Sequence, residues 1–485
     1  MRNYIDLWNN PATPLLMLNQ QVCAIDLAQS YESIFVMGDS GSGKTSAVMA
    51  SLAHAYLARG QYGMLVCTVK GDEADLWQKH AAAAGRAADV VRFSIDSGHE
   101  WNLFQYITDT FYSGDSDIFV DLCMNIIEAS GRQSASGNDE SFWPASLRQL
   151  LTNSTEVELA ATGKASLEGV REIIQSAPQT REEARSRDWQ ENSLCFRHIN
   201  QAAKRELPPD RRYDAEAAST YFLEEFASLS LRTKSIVLIM ATQFFDTFLR
   251  GRLRRIFTGA VSIKPEWVAE GAILILDFPV LHWGERGKFI QQAFVYCLMK
   301  YIERRNIITS PRPIAIVEDE LQHLVLPRAA ARFASISRGL RASCIAATQN
   351  LPNLYRALGH NESAKWDTLG LLANHKSKFF TANSDNDSNT YVSELIGKEW
   401  TARINTGLNS APVDTAGALF GQSQQGHSLG ASESLEAQLL ASELKRLKTG
   451  GPRFHNRVEA IFVQSGRTWP SGKDYVRLTF EQSGL

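Results

Sequence analysis

An α/β fold, with a mostly parallel sheet flanked by helices and one all-helical insertion, follows from three features of the sequence. Short apolar runs rich in β-branched residues recur in the first and last parts of the chain. Helical stretches follow several of them. Between about residues 105 and 260 strand-like runs nearly vanish.

In the first segment, 1–104, the apolar runs lie at 34–37, 64–69 and 90–95. In the last, 261–485, they lie at 273–278, 314–317, 344–348, 378–382 and 458–463. Runs that are apolar throughout, without alternation, are those of strands buried on both faces, as in a parallel sheet. The helical stretches 76–84 and 287–304 supply the strand–helix alternation of a doubly wound core. The middle segment, 105–260, is rich in Leu, Ala, Glu, Gln and Arg and reads as an all-helical insertion. Leu147, Leu150 and Leu151, and later Tyr221, Phe222, Phe226 and Leu229, recur at helical spacing and are assigned to its core. Pro208-Pro209 and the Gly/Ser stretch 130–141 mark loops. The stretch 407–434, rich in Gly, Ser, Ala, Gln and Asn, is expected to be a mobile loop, too polar to pack.

Composition narrows the class. With 485 residues the chain can hold two or three domains, and 44% apolar and 21% charged residues are ordinary for a soluble protein. Six scattered cysteines, with no C-x-x-C pair, point to a reducing compartment and away from structural zinc. A net charge of −3 gives no global basic field, so any contact with DNA must be local. The amino terminus lacks a signal-peptide pattern. The most apolar stretches, 236–241 and 273–276, fall far short of the roughly 20 residues a membrane helix needs. Cytoplasmic location without membrane insertion is the expectation.

The chemistry starts at Gly38-Asp39-Ser40-Gly41-Ser42-Gly43-Lys44-Thr45, a G-x-x-x-x-G-K-[ST] segment directly behind the apolar run 34–37. In that setting the glycines let successive backbone N–H groups turn around phosphate oxygens. Lys44 reaches the outer phosphates, the Thr45 hydroxyl ligates Mg²⁺, and the helix that follows adds its positive end. The reading is a P-loop NTPase using ATP and Mg²⁺. Gly38-Asp39-Ser40-Gly41 also resembles the nucleophile segment of trypsin-like proteases, but that serine needs a β-barrel scaffold with His and Asp partners, and here Gly-Lys-Thr and a helix follow.

Such a loop needs an acidic partner at the end of a neighbouring strand. Ile314-Ala315-Ile316-Val317-Glu318-Asp319-Glu320 supplies one, with Asp319 toward the metal and Glu320 as general base. Glu318 leaves the register open by one residue. The next run ends in Thr348-Gln349, where Gln349 can meet the terminal phosphate or the attacking water. Between them Arg338 and Arg341 are candidates for a finger donated to a neighbouring subunit.

The ordered series Gly-Ser-Gly-Lys-Thr (41–45), Glu-Asp-Glu-Leu-Gln (318–322), Ser-Arg-Gly-Leu-Arg (337–341) and Ala-Thr-Gln-Asn (347–350) resembles the conjugative coupling ATPases of type IV secretion, TraG/TraD-like proteins within the HerA/FtsK group of ring translocases. Lys70-Gly71-Asp72-Glu73, Asn102-Leu103-Phe104, Ser141-Phe142-Trp143, Ser393-Glu394-Leu395-Ile396-Gly397 and Thr449-Gly450-Gly451-Pro452 extend the likeness over most of the chain. The resemblance implies a RecA-like core with an inserted all-helical domain, six copies around a channel, and ATP-driven movement of DNA. It makes Arg338 the finger acting across a subunit boundary and Gln349 the sensor of nucleotide state. It also implies a relaxase, secretion-channel or effector partner.

The resemblance has a departure. Secretion members of that family usually start with two membrane helices, and this sequence shows neither. The expected function is therefore a soluble coupling-type DNA translocase for conjugation. The alternative is an ATP-gated hexameric scaffold of a cytoplasmic complex, for example in anti-phage defence, that recruits a nuclease. A protein unfoldase is a distant third, because no appended helical lid domain is recognisable. Candidate DNA contacts are Arg250, Arg252, Arg254 and Arg255, which spread around a helix, and Arg328 with Arg332, which share a helical face.

Overall fold

The computed structural model describes residues 5–18, 22–111, 116–129, 142–359, 362–412 and 423–482. An antiparallel hairpin, β1 (Pro14–Leu18) and β2 (Val22–Asp26), precedes the central strands. These are β3 (Ile34–Met37), β4 (Gly63–Cys67), β5 (Val90–Phe93), β6 (Ile273–Leu276), β7 (Ile314–Glu318), β8 (Ala342–Thr348) and β9 (Ser377–Phe380). After β9 come β10 (Lys398–Pro412), β11 (Ser423–Ala437), β12 (Arg457–Gln464) and β13 (Tyr475–Glu481). The central sheet has nine strands in the order β13-β12-β9-β3-β8-β7-β4-β6-β5. The strands from β9 to β5 are parallel to their neighbours, while β12 and β13 run antiparallel at one edge.

Each apolar run forms a strand because both its faces are covered. In β4, Leu65 and Cys67 point into one hydrophobic cluster while Met64 and Val66 point into another, and all four are buried. The helical run after the glycine-rich loop (Lys44–Met49, Ala50–His54, Ala55–Arg59) and the helix Glu73–Ala83 cover one face. Helix Glu285–Arg304 covers part of the other, and its 13 buried residues make it the central helix of that side. The fold class is thus the expected one.

Between β5 and β6 the described chain is helical from Leu103–Phe111 to Arg252–Thr258, including the long helices Phe142–Thr162 and Leu231–Leu249. Leu147, Leu150, Leu151, Tyr221, Phe222 and Phe226 are buried there, and Leu229 packs against them. Their cluster is continuous with the sheet: fully buried Trp101 packs at a tilt on Phe294 of helix Glu285–Arg304 at 4.6 Å and contacts Phe257 at 6.1 Å. Aromatic burial on this scale fixes the insertion against the core.

Two readings of the carboxyl-terminal part need correction. The run 458–463 belongs to β12, which pairs antiparallel with β9, and the sequence reading missed its partner β13, whose side chains alternate between buried and exposed. The stretch 407–434 is not a loop where it is described. β10 and β11 pair as a ribbon from Lys398↔Ala437 to Pro412↔Ser423, while 413–422 lies outside the described residues, as does the loop predicted at 130–141. Composition misled here because a ladder is held by backbone N–H and C=O groups, which every residue but proline supplies. Among the described residues no helix is long and apolar enough to cross a membrane.

Candidate nucleotide site

The strand order brings the carboxyl ends of β3, β8 and β7 side by side, and the segments leaving them converge. That crevice beyond the strand ends is where open parallel sheets bind ligands. The glycine-rich loop is held open from both sides. Gly38 donates its N–H to Thr348 O (3.3 Å), Asp39 donates to Ala382 O (3.0 Å), and the Ser42 hydroxyl bonds Thr381 Oγ1 (2.8 Å). The Asp39 carboxylate accepts the Ser384 N–H at 2.7 Å. Gly43 has φ +83°, and a Cβ there would fall 2.3 Å from Val458 Cγ2; a Cβ at Gly38 would meet Thr381 Oγ1 at 1.7 Å. The motif's first and last glycines are thus both demanded by close approach, and Gly43 by its backbone geometry as well.

Helix geometry then carries Lys44 and Thr45 to the end of β7. Thr45 donates its hydroxyl to Asp319 Oδ2 at 2.8 Å, and Lys44 Nζ lies 3.4 Å from Asp319 Oδ1. Glu320 Oε1 faces three donors: Lys70 Nζ at 3.2 Å, Gln349 Nε2 at 3.3 Å and Lys44 Nζ at 3.6 Å. Gln322 Nε2 binds Oε2 at 2.8 Å. Glu320 adopts φ +66°, ψ +53°, a left-handed conformation uncommon for a residue with a side chain. Burial works to raise its pKa, but Lys44, the Gln322 amide, Lys70 and Gln349 outweigh burial and bring it down to about 2. Glu318 shares its strand face with Ile316 and pairs in register with Cys67, away from the loop; burial pushes its pKa up to about 7. The acidic triplet therefore divides as Asp319 and Glu320 at the loop and Glu318 in the core.

The structure also brings in residues to which the sequence reading gave no chemical role. Lys70 stands three positions beyond β4, the strand next to β7, and reaches Glu320; its location past a parallel strand end was the available signal. Glu73 holds Lys70's segment by accepting the N–H groups of Val69 (2.6 Å) and Lys70 (3.2 Å). Burial, then the Asp319 charge, lift its pKa to about 7 against those bonds. A cavity of about 470 Å³ opens between the loop residues 39–46 and the Lys70 to Lys79 stretch, within the range of small-molecule sites.

The donor set suits a hard divalent cation bound alongside phosphate. Thr45 and Asp319 offer one hydroxyl and one carboxylate, and no group of three or more His, Cys, Asp or Glu side chains among the described residues forms a closed metal cage. A Mg²⁺ ion is commonly held by one or two such groups, with waters and phosphates completing its shell.

Arg338 is not at this site in the same chain. It lies in the turn Ser337–Leu340, before β8, at the opposite end of the sheet, 70% exposed and 3.0 Å from Glu32. Arg341 is likewise at that end, donating to Pro311 O at 3.3 Å. The basic candidates for DNA contact are all paired within the chain. Arg250 meets Asp246, Arg252 meets Asp96, Arg254 meets Glu168 and Arg255 meets Glu100, while Arg328 meets Glu128 and Arg332 meets Glu303.

Two family models match the chain. One, described as type IV secretory system conjugative DNA transfer, covers residues 19–240, and one described as the TraM recognition site of TraD and TraG covers 313–449. Among solved structures, the bacterial conjugative coupling protein TrwBΔN70 in its unbound form is similar over 99% of this chain and 91% of its own, with TM-score 0.64 and 14% identity. The plasmid coupling protein TrwB in complex with ADP and Mg²⁺ is similar over 98% and 90%, with TM-score 0.60 and 15% identity. TrwB with a non-hydrolysable ATP analogue gives TM-score 0.55 at 14% identity over 98% and 91%. No curated protein matches the sequence. At such identities the likeness is one of fold.

Proposed function

The chain belongs to the conjugative coupling proteins of type IV secretion, and from that premise we propose that it is a Mg²⁺-dependent ATPase that moves DNA, working as a ring of six copies. Residues 1–104 and 261–485 form the motor core in this reading, and 105–260 the inserted domain. The observation that carries it is the meeting of Thr45, Lys44, Asp319 and Glu320 at the ends of adjacent strands. TrwB's complexes with ADP and Mg²⁺ and with an ATP analogue support the choice of cofactor.

The roles follow from position. The backbone of residues 38–43 cradles the phosphates, Lys44 neutralises the outer ones, and Thr45 with Asp319 would hold Mg²⁺, which supplies charge neutralisation between phosphates. Glu320 orients and deprotonates the attacking water. In the form described its carboxylate is engaged by Lys44 and Lys70, the same cations that an incoming phosphate would attract. Gln349, bonded to Glu320, is placed to respond when that carboxylate turns toward water. Arg338, remote from its own loop, serves the loop of the adjacent copy in this reading, so a lone copy has an incomplete site.

The TraM-recognition family description over 313–449 supports a relaxosome-type partner for that half of the chain. The test is ATP hydrolysis against protein concentration, with and without DNA. Turnover that rises with assembly and with DNA, and is lost in Glu320→Gln while nucleotide still binds, is the expected result. Assembly by ATP with turnover indifferent to DNA would favour the scaffold reading instead.

A further inference from the structure

Helix Glu285–Arg304 carries two adjacent glutamines that are almost fully buried, Gln291 at 0% and Gln292 at 1% exposure. Buried amides are costly unless bonded, and these two spend their bonds on backbone. Gln291 accepts the Thr68 N–H through Oε1 (2.7 Å) and donates through Nε2 to Thr68 O and Phe278 O (2.9 Å each). It replaces a missing sheet neighbour, because β4 and β6 pair only as far as Cys67↔Leu276 and then diverge. Gln292 donates Nε2 to Leu324 O and Val325 O (3.1 Å each), and its buried Oε1 has no hydrogen-bond partner.

The two clamped segments carry the two halves of one ion pair. Thr68 lies two residues before Lys70, and Leu324 lies four residues after Glu320; Lys70 Nζ and Glu320 Oε1 are 3.2 Å apart. The same helix touches the helical insertion along its length. Lys288 donates to Ala129 O (2.6 Å), Phe294 packs on Trp101, which in turn contacts Phe257 of the insertion, and Arg304 donates to Phe111 O (3.0 Å).

We propose that Gln291 and Gln292 are positioning residues that tie the Lys70 and Glu320 segments to helix Glu285–Arg304, so that a change at the nucleotide site moves this helix and the insertion packed on it. The inference rests on the nucleotide-binding reading above. When phosphate draws Lys70 from Glu320, the two segments are free to shift relative to each other. Gln291 follows one and Gln292 the other, and the unpartnered Gln292 Oε1 is free to accept a new bond in the shifted arrangement. A rigid helix carries that displacement to the contacts at Ala129, Trp101 and Phe111.

The test is hydrogen exchange on the full chain with ADP and Mg²⁺ added, comparing wild type with Gln292→Met, a variant of similar size without the two bonds. In wild type, nucleotide slows exchange at residues 38–45 and also, by about tenfold, in helices Leu103–Phe111 and Asp117–Ala129. In the variant the slowing at 38–45 persists, with nucleotide affinity within about threefold of wild type, and the slowing in the two distant helices is lost. Lys288→Met, which removes the Ala129 contact from the other side, gives the same pattern should Gln292→Met fold poorly. Distant slowing that survives in either folded variant, or is missing in wild type while 38–45 is protected, overturns the inference. No protection at 38–45 in wild type would instead remove the nucleotide-binding reading on which it stands.

Discussion

The nucleotide site and the arginine-rich end of the insertion both gather opposite charges, and they do so in opposite ways. At the site Lys44, Asp319 and Glu320 are about 5% exposed and share partners, so one carboxylate oxygen faces three donors. At the insertion's end Arg250, Arg252, Arg254 and Arg255 are 63–87% exposed, each with its own acid. Charges taken out of water are strongly coupled, and losing one leaves the others uncompensated; exposed pairs are screened and worth little apiece. The lesson is that charge density alone does not locate function: the buried network has the means for chemistry, and the exposed arginines are already neutralised.

Substitutions at each region sharpen that contrast. The largest effect is expected for Glu320→Gln, which keeps the size but removes the charge and one of the two accepting oxygens, and with them the proposed base; steady-state hydrolysis should fall at least about a hundredfold with nucleotide binding retained. Lys70→Met should come next, lowering turnover by about tenfold or more, since a cation at a site of developing charge is lost. If single-turnover kinetics show Lys70→Met unchanged, Lys70 is a bystander.

A pH series probes a buried acid away from the site. Burial lifts the Glu158 pKa from 4.5 to about 7 despite the Ser166 bonds. The folded state therefore holds this proton more tightly than the unfolded chain. The stability it contributes is full below about pH 4.5 and is lost as pH rises through 7. Glu158→Gln should match wild type near pH 4.5 and exceed it by up to about 3 kcal/mol at pH 8; parallel melting curves across that range would contradict this. The smallest effect belongs to Arg254→Ala, expected within about 0.5 kcal/mol in a denaturant titration.

The sequence made the strand–loop–helix setting of 38–45 legible because phosphate cradling imposes residue types at fixed spacing. The sequence alone leaves the division of Glu318, Asp319 and Glu320 open, since only the strand's alternation and the turn at Glu320 decide it. Gln291 and Gln292 were invisible as anything but helix formers: their partners are backbone groups distant in sequence, which no side-chain pattern marks. The β10–β11 ribbon was missed for a related reason, its ladder being made by main chain. The surroundings of Arg338 needed three dimensions, because only the direction of β8 puts it at the far end of the sheet.

If the site is completed between copies, two variants that are each inactive should rescue one another when mixed. Lys44→Ala lacks the phosphate cation but keeps Arg338; Arg338→Ala lacks the finger but keeps the loop. Each alone should hydrolyse ATP negligibly, and an equal mixture, exchanged into common rings, should regain about a quarter of wild-type turnover, the share of boundaries that join an intact loop to an intact Arg338. No recovery in verified mixed rings, or full turnover by Arg338→Ala alone, would contradict the account.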